Sequence, residues 1–197
     1  MDVALRAKLD ANRGLLETAR ALVDVPVSME QLRRALPGVH VVLYDEIPEM
    51  PLDEWLRSAP ERGAIILYRW TDRYGHFVAV TVDDAGSVNL FDSMAGGPDS
   101  LRDRLDPAVA AELGQGSLRL LKDLRLMTPA AQKKARYQDQ RVQASRSETC
   151  GRWCALRVVF REFDEDEFTR SVHETARAFG MTPDVMVVLL TIAQPRP

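Results

Sequence analysis

The stretch GHFVAVTVDDAGSVNLF, Gly75 to Phe91, restricts the fold more than any other part of the chain. Two apolar, β-branched runs, 75–82 and 87–91, flank the turn-forming residues DDAG. Such a pattern makes an antiparallel hairpin. A lone hairpin is barely stable in water, so further strands must join it. Two earlier runs qualify: VHVVLY (Val39 to Tyr44) and AIILYR (Ala64 to Arg69). Three or four strands from the middle of the chain are therefore expected to form one mostly antiparallel sheet. Tyr137 to Val142 is a candidate edge strand.

Helical periodicity surrounds this block. Leu5, Leu9, Leu16 and Ala19 recur at helical spacing between Val3 and Leu22. Ser28 and Gln31 have the N-cap and N3 spacing of a capping box. A short helix is expected at Leu52 to Arg57, and further helices at Leu101 to Leu113 and Ser117 to Leu126. Trp153 to Phe160 is apolar nearly all round, as in a helix covered on every side. DEDEFTRSVHETARAFG reads as an amphipathic helix ending at Gly180, and Pro183 opens a last one. Helices, then strands, then helices give an α+β fold.

The 197 residues fit one domain, with 1–24 as a helical extension and 28–197 as the core. A net charge of −3 argues against a broad basic face for nucleic acid, although it leaves room for a local patch. The longest apolar run, Val185 to Ala193, is too short to span a bilayer, so no membrane partner is expected. The opening residues MDVALRAKLDANRGLLETAR are mixed and charged, without a signal-peptide core. Two cysteines are not a disulfide framework; both are expected to be reduced, in a reducing intracellular compartment.

Chemistry concentrates at QASRSETCGRWCALRVVF, Gln143 to Phe160, where a polar loop runs into the covered helix. Three roles compete for Cys150. Packing suits any free cysteine, and suits Cys154 one turn later. Metal binding would need four ligands for a closed zinc site, and the chain offers two cysteines and three scattered histidines, so no metal is expected. A nucleophile must attack as thiolate, which the positive end of a helix stabilises. Cys150 stands at such an end, and Gly151 lets substrate or backbone approach.

A nucleophilic thiol needs a base. His173 lies in the charged helix and reads as solvated, while His40 opens a strand and reads as structural. His76, preceded by Gly75, stands at the head of the hairpin, where its strand aims it rigidly. The hairpin returns Asp92 to the level of His76, and a carboxylate there would orient the imidazole. Asp83 and Asp84 belong to the far, turn end. The developing oxyanion needs donors. The Cys150 N–H is one, and the side-chain amide of Gln143, Gln138 or Gln140 is a candidate for the second.

Together, GHFVAV, NLFDSMAG and VQASRSETCGRWC resemble the adenovirus-type maturation proteases, the adenain family, which share a fold with SUMO and ubiquitin-like protein isopeptidases. The resemblance covers about Ile65 to Phe160. It implies the chain order His76, Asp92, Gln143, Cys150. Gly75-His76-Phe77 and Leu90-Phe91-Asp92 match the family's settings for its histidine and acid, and Gln143 stands seven residues before the cysteine (150 − 143 = 7). Cys150-Gly151 followed by Cys154 matches as well. Phe77 departs from the tryptophan of many relatives, and Asp92 is the isopeptidase choice where the adenoviral enzyme has Glu. LRRALPGVHVVLYDEIPEM and AIILYRW are similar to adenain-like proteases of large DNA viruses and related mobile elements.

The resemblance implies a cysteine endopeptidase. Its partners would be polypeptides, capsid or core precursors cut at Gly-containing sites during virion maturation. The compartment would be host cytoplasm or nucleus, with packaging in the virion. No cofactor is expected, since no match to the adenoviral peptide-cofactor site is found and an acidic chain does not favour DNA. Small substrate residues make sense if Trp70 or Trp153 narrows the cleft beside Gly75 and Gly151; otherwise both tryptophans are core. Rival readings are a deconjugase for ubiquitin-like modifiers, a thiol acyltransferase, and a catalytically dead binding protein of the same fold.

Overall fold

The computed structural model describes residues 13–192 apart from 73, 118, 121–134 and 139. Helices α1 (Arg13–Ala21) and α2 (Met29–Ala35) lead into strand β1 (His40–Leu43). Helix α3 (Leu52–Ser58) precedes β2 (Gly63–Arg69), β3 (Gly75–Val82) and β4 (Val88–Phe91). The short α4 (Pro107–Glu112) and β5 (Arg136–Tyr137) follow, and α5 (Cys150–Val159), α6 (Glu165–Ala178) and α7 (Pro183–Ile192) complete the described chain. The fold is α+β, as expected.

The five strands form one sheet in chain order. The hairpin is as expected: β3 pairs antiparallel with β4, Val82 facing Val88 and Ala79 facing Phe91. β2 pairs antiparallel with β3. The two outer pairings are parallel, β1 with β2 and β4 with β5. The sheet is therefore mixed rather than mostly antiparallel. The reason lies in the connections. α3 carries the chain from the end of β1 back to the start of β2, and such a crossover makes neighbours parallel.

Alternation along the strands divides the core in two. Ile65, Phe77, Ala79 and Phe91 face the layer of α1, α2, α5, α6 and α7. Ile66, Tyr68, Val78, Val80 and Leu90 face Tyr44, Leu52, Trp55 and Leu56 on the other side. On the first face Phe91, Trp153 and Phe168 form a ring cluster with centroids 5.7–6.4 Å apart. Such pairs add about 0.5–1.5 kcal/mol each beyond their buried area.

α5 runs along β3 in the same direction. Gly151 packs against Phe77 near one end, and Val158 reaches Gly63, near Thr81, at the other. Every residue from Cys150 to Val158 is buried, including Arg152 and Arg157. Arg157 lies over the Phe168 ring at 5.6 Å and donates to Phe160 O at 2.9 Å. The covered helix starts at Cys150, the helix end expected from sequence, and Phe160 is its cap.

Other expectations hold or shift locally. Ser28 and Gln31 form the capping box of α2, with bonds of 2.8 and 3.1 Å. The helix expected over 101–113 is broken into a 3-10 turn (Arg102–Arg104) and α4, because Pro107 cannot continue the preceding turn and instead opens a new helix capped by Asp106. The edge strand is two residues long, Arg136–Tyr137, and stops well before Val142. The parts of the expected helices at 3–12, and most of Ser117 to Leu126, lie outside the described residues. Among the described residues no single helix is long and apolar enough to cross a membrane.

Candidate active site

The site forms where the start of β3 meets the start of α5. His76 is the second residue of β3, opposite Tyr68, and is 2% exposed. Gly75 before it has no room for a side chain: a Cβ would collide with Tyr68 O and Leu67. Glycine is therefore required here for the close approach of two backbones.

Asp92 follows the last residue of β4. Since Phe91 faces Ala79, Asp92 continues opposite Val78, two positions from the level of His76 expected from sequence. The side chain closes this diagonal: His76 Nε2 donates to Asp92 Oδ1 at 2.7 Å. The Asp92 carboxylate also accepts from Met94 N–H at 2.8 Å and Gly96 N–H at 3.0 Å. A Cβ on Gly96 would overlap the carboxylate. The loop DSMAGG is thus a cradle for Asp92, and only the aspartate in it was singled out from sequence. Its signal is an Asp followed by small residues at a strand end, a common turn chemistry.

Burial by itself would raise the Asp92 carboxyl, but His76 and the two backbone N–H groups hold it below the usual carboxylate range. Burial likewise pushes the His76 imidazole down. Its hydrogen bonds and charge interactions with Asp92 and Cys150 outweigh that and bring its pKa up to about 9.

Cys150 is the first residue of α5, and its sulfur is one of the groups that raise the His76 imidazole. Since Nε2 serves Asp92, Nδ1 is the nitrogen left for the sulfur. Thr149, the N-cap, gives α5 no side-chain cap, because its hydroxyl is turned to Asp184. Cys154, one turn later, is wholly buried, and its thiol donates to Phe77 O at 3.3 Å. Burial, with the charges of Cys150 and Asp92, pushes the Cys154 thiol well up.

Gln143 is buried beside the loop that leads into Cys150. Its Oε1 accepts from Ser93 Oγ at 2.7 Å and its Nε2 donates to Ser147 O at 2.6 Å. Ser147 O can only accept, so the amide has one orientation, and Nε2 keeps one free hydrogen. The backbone N–H of Gln143 and of Val142 both donate to Ser93 O. Gln143 therefore ties the Asp92 loop to the Cys150 loop. Gln138 instead donates to Gln140 O, within its own loop.

Trp70 stacks parallel to His76, ring centroids 6.3 Å apart and planes within 9°, and is 39% exposed. It borders the imidazole from the solvent side. Trp153 does not line a cleft. It is fully buried against Phe91 and Phe168, and Nε1 donates to Asp184 at 3.0 Å. Gly151 does not open space for substrate either, since a Cβ there would meet Val27 and Phe77. Both corrections have one cause: position 153 is the inward side of the first helical turn, and 151 is its contact with β3.

Asp184, in the first turn of α7, has no distinct signal in the sequence beyond a favourable acid near a helix start. It is 3% exposed and accepts from Ala144 N–H (3.0 Å), from Thr149 Oγ1 and from Trp153 Nε1. These donors bracket Cys150. His40 stacks on Trp55 at 5.0 Å and bonds to Ser58 Oγ, a structural role as expected. His173 is half-buried rather than solvated, with Nε2 covered and unpartnered.

No family model matches the chain. It is 28% identical over 155 residues to "Uncharacterized protein V9" of the Sputnik virophage, covering 77% of this chain and 85% of that protein.

Proposed function

We propose that the chain is a cysteine peptidase of adenain-like type. The observation that carries this reading is the His76 imidazole bonded to the Asp92 carboxylate at 2.7 Å and raised by a cysteine that opens a helix. In the proposed reaction the Cys150 proton passes to His76 Nδ1 and the sulfur attacks a peptide carbonyl carbon. The Cys150 N–H and the free hydrogen of Gln143 Nε2 take the oxyanion. The tetrahedral adduct collapses, the C–N bond breaks, and His76 gives its proton to the leaving amine. His76 then draws a proton from water, whose oxygen attacks the thioester. Collapse releases the acid and returns the thiol. Asp92 keeps the imidazole aligned and stabilises its charged form.

The substrate class follows the resemblance: capsid or core precursors of a virus, cut at small residues, with Trp70 as a wall beside the histidine. The likeness to a virophage protein supports a viral setting, and two free cysteines suit a reducing compartment. The test is cleavage of a peptide library and of virion precursors by wild-type protein and Cys150→Ala. Cleavage by wild type alone supports the reading, and cleavage that survives the substitution ends it. Turnover of diglycine-ended modifiers with no precursor cleavage would replace it by a deconjugase.

A further inference from the structure

A cavity lies behind α5, away from the His76 side, between that helix, α2, the α1–α2 linker and the end of α7. Its volume is about 280 Å³. Its walls are aliphatic, with Leu22, Leu32, Leu36, Ala155 and Leu156 among them. Three polar side chains reach it, and two are already committed. Gln31 Oε1 accepts the Ser28 N–H of the capping box. Thr191 gives its hydroxyl proton to the carbonyls of its own helix at 2.9 Å.

The third is Arg152, 9% exposed. Its Nη1 donates to Thr191 Oγ1 at 3.2 Å, its buried Nε has no partner, and no Asp or Glu among the described residues forms an ion pair with it. A buried guanidinium without a counter-charge is costly, and burial here pulls its pKa down. Fork geometry makes a carboxylate the matching anion.

We propose that this cavity is a binding site for an aliphatic monocarboxylate, its head on Arg152 and its chain against the leucines. A single water needs only about 10–15 Å³ of such space, so the cavity has room for an alkyl chain of many carbons. A peptide suits it poorly, because its backbone N–H and C=O groups would find aliphatic walls instead of partners. An alkyl chain makes no such demand. The inference does not rest on the peptidase reading.

The probe is decanoate, titrated calorimetrically into the intact protein below its micellar range. Saturable one-to-one binding is expected. Arg152→Met should weaken it tenfold or more, as loss of a charge-assisted bond implies, while uncharged decanol binds both proteins alike. Ala35→Phe fills the cavity from its exposed α2 wall, keeps Arg152, and should abolish binding of both ligands. Melting curves show that each variant is folded. Absence of decanoate binding to wild type, or undiminished binding after either substitution, overturns the proposal.

Discussion

Cys150 and Cys154 stand one turn apart on the same helix and have the same side chain, yet their surroundings are opposite. Cys154 has a backbone carbonyl as its neighbour, lies wholly in the core, and burial pushes its thiol well up. Cys150 meets an imidazole backed by a carboxylate. Thiol chemistry depends on what can hold the displaced proton and the resulting charge. Only the first turn of α5 supplies both. The second turn supplies packing.

The sharpest break of this comparison is substitution of each cysteine in turn. Cys150→Ala should remove peptidase activity altogether while leaving the melting temperature close to wild type. Cys154→Ala should keep activity and cost about 1–2 kcal/mol of stability, as for loss of a buried group. Paired activity assays and denaturant melts read both effects. Activity lost equally in both variants would mean that the two turns do not differ in function.

Asp92→Asn comes next, with an expected fall in turnover on the order of 10⁴-fold. The carboxylate receives donors on both oxygens, His76 and Met94 on one and Gly96 on the other. An amide has only one acceptor, so one side meets a donor with a donor. The substitution also changes pH dependence. The folded His76 value of about 9 lies above its ordinary 6.5. The charged pair therefore adds stability in full below about 6.5, and this is lost as pH rises to about 9. In Asp92→Asn that sloping window should flatten in melts recorded across pH 6 to 10. The alkaline limit of activity should also move down. A wild-type slope retained by the variant would remove Asp92 from the account.

How much of this was legible beforehand depends on the range of the signal. The hairpin is written locally in DDAG between alternating runs, and its register carries His76 and Asp92 into one another's reach. The capping box at Ser28 is equally local. Strand direction at the sheet edges is not, since it depends on how α3 returns the chain to β2. The inward turn of Trp153 depends on which side of α5 meets Phe91 and Phe168, and a helix apolar nearly all round does not announce that side in its sequence. The residues that hold the cysteine loop come from far away in sequence: Ser93 for Gln143, and Asp184 for Thr149 and Trp153. No spacing rule links them, because they meet only when α7 packs beside α5.

Gln143→Ala should lower turnover by about 10²-fold, the usual cost of one oxyanion donor. It also removes the tie between Ser93 and Ser147, so the informative split is between kcat and KM. A loss in kcat alone fits an interaction made in the transition state. A rise in KM alone would reassign Gln143 to holding the loops.

The smallest effect expected is at Asp184, which touches no reacting atom. Its carboxylate gathers Ala144 N–H before the cysteine, Thr149 directly before it and Trp153 just after it. Asp184→Asn has nearly the same shape but leaves at least one of those donors facing an NH₂ group. If the carboxylate positions the first turn of α5, the rate of Cys150 alkylation by iodoacetamide should drop by about tenfold, or about 1.4 kcal/mol of barrier. Its pH profile should keep the same midpoint, because His76 and Asp92 are untouched. Cys154 stays unreactive in both proteins and serves as the internal reference. An unchanged alkylation rate with a lowered melting temperature would assign Asp184 to the packing of α7 alone, and the difference between the two turns would then rest on His76 and Asp92 without help from behind.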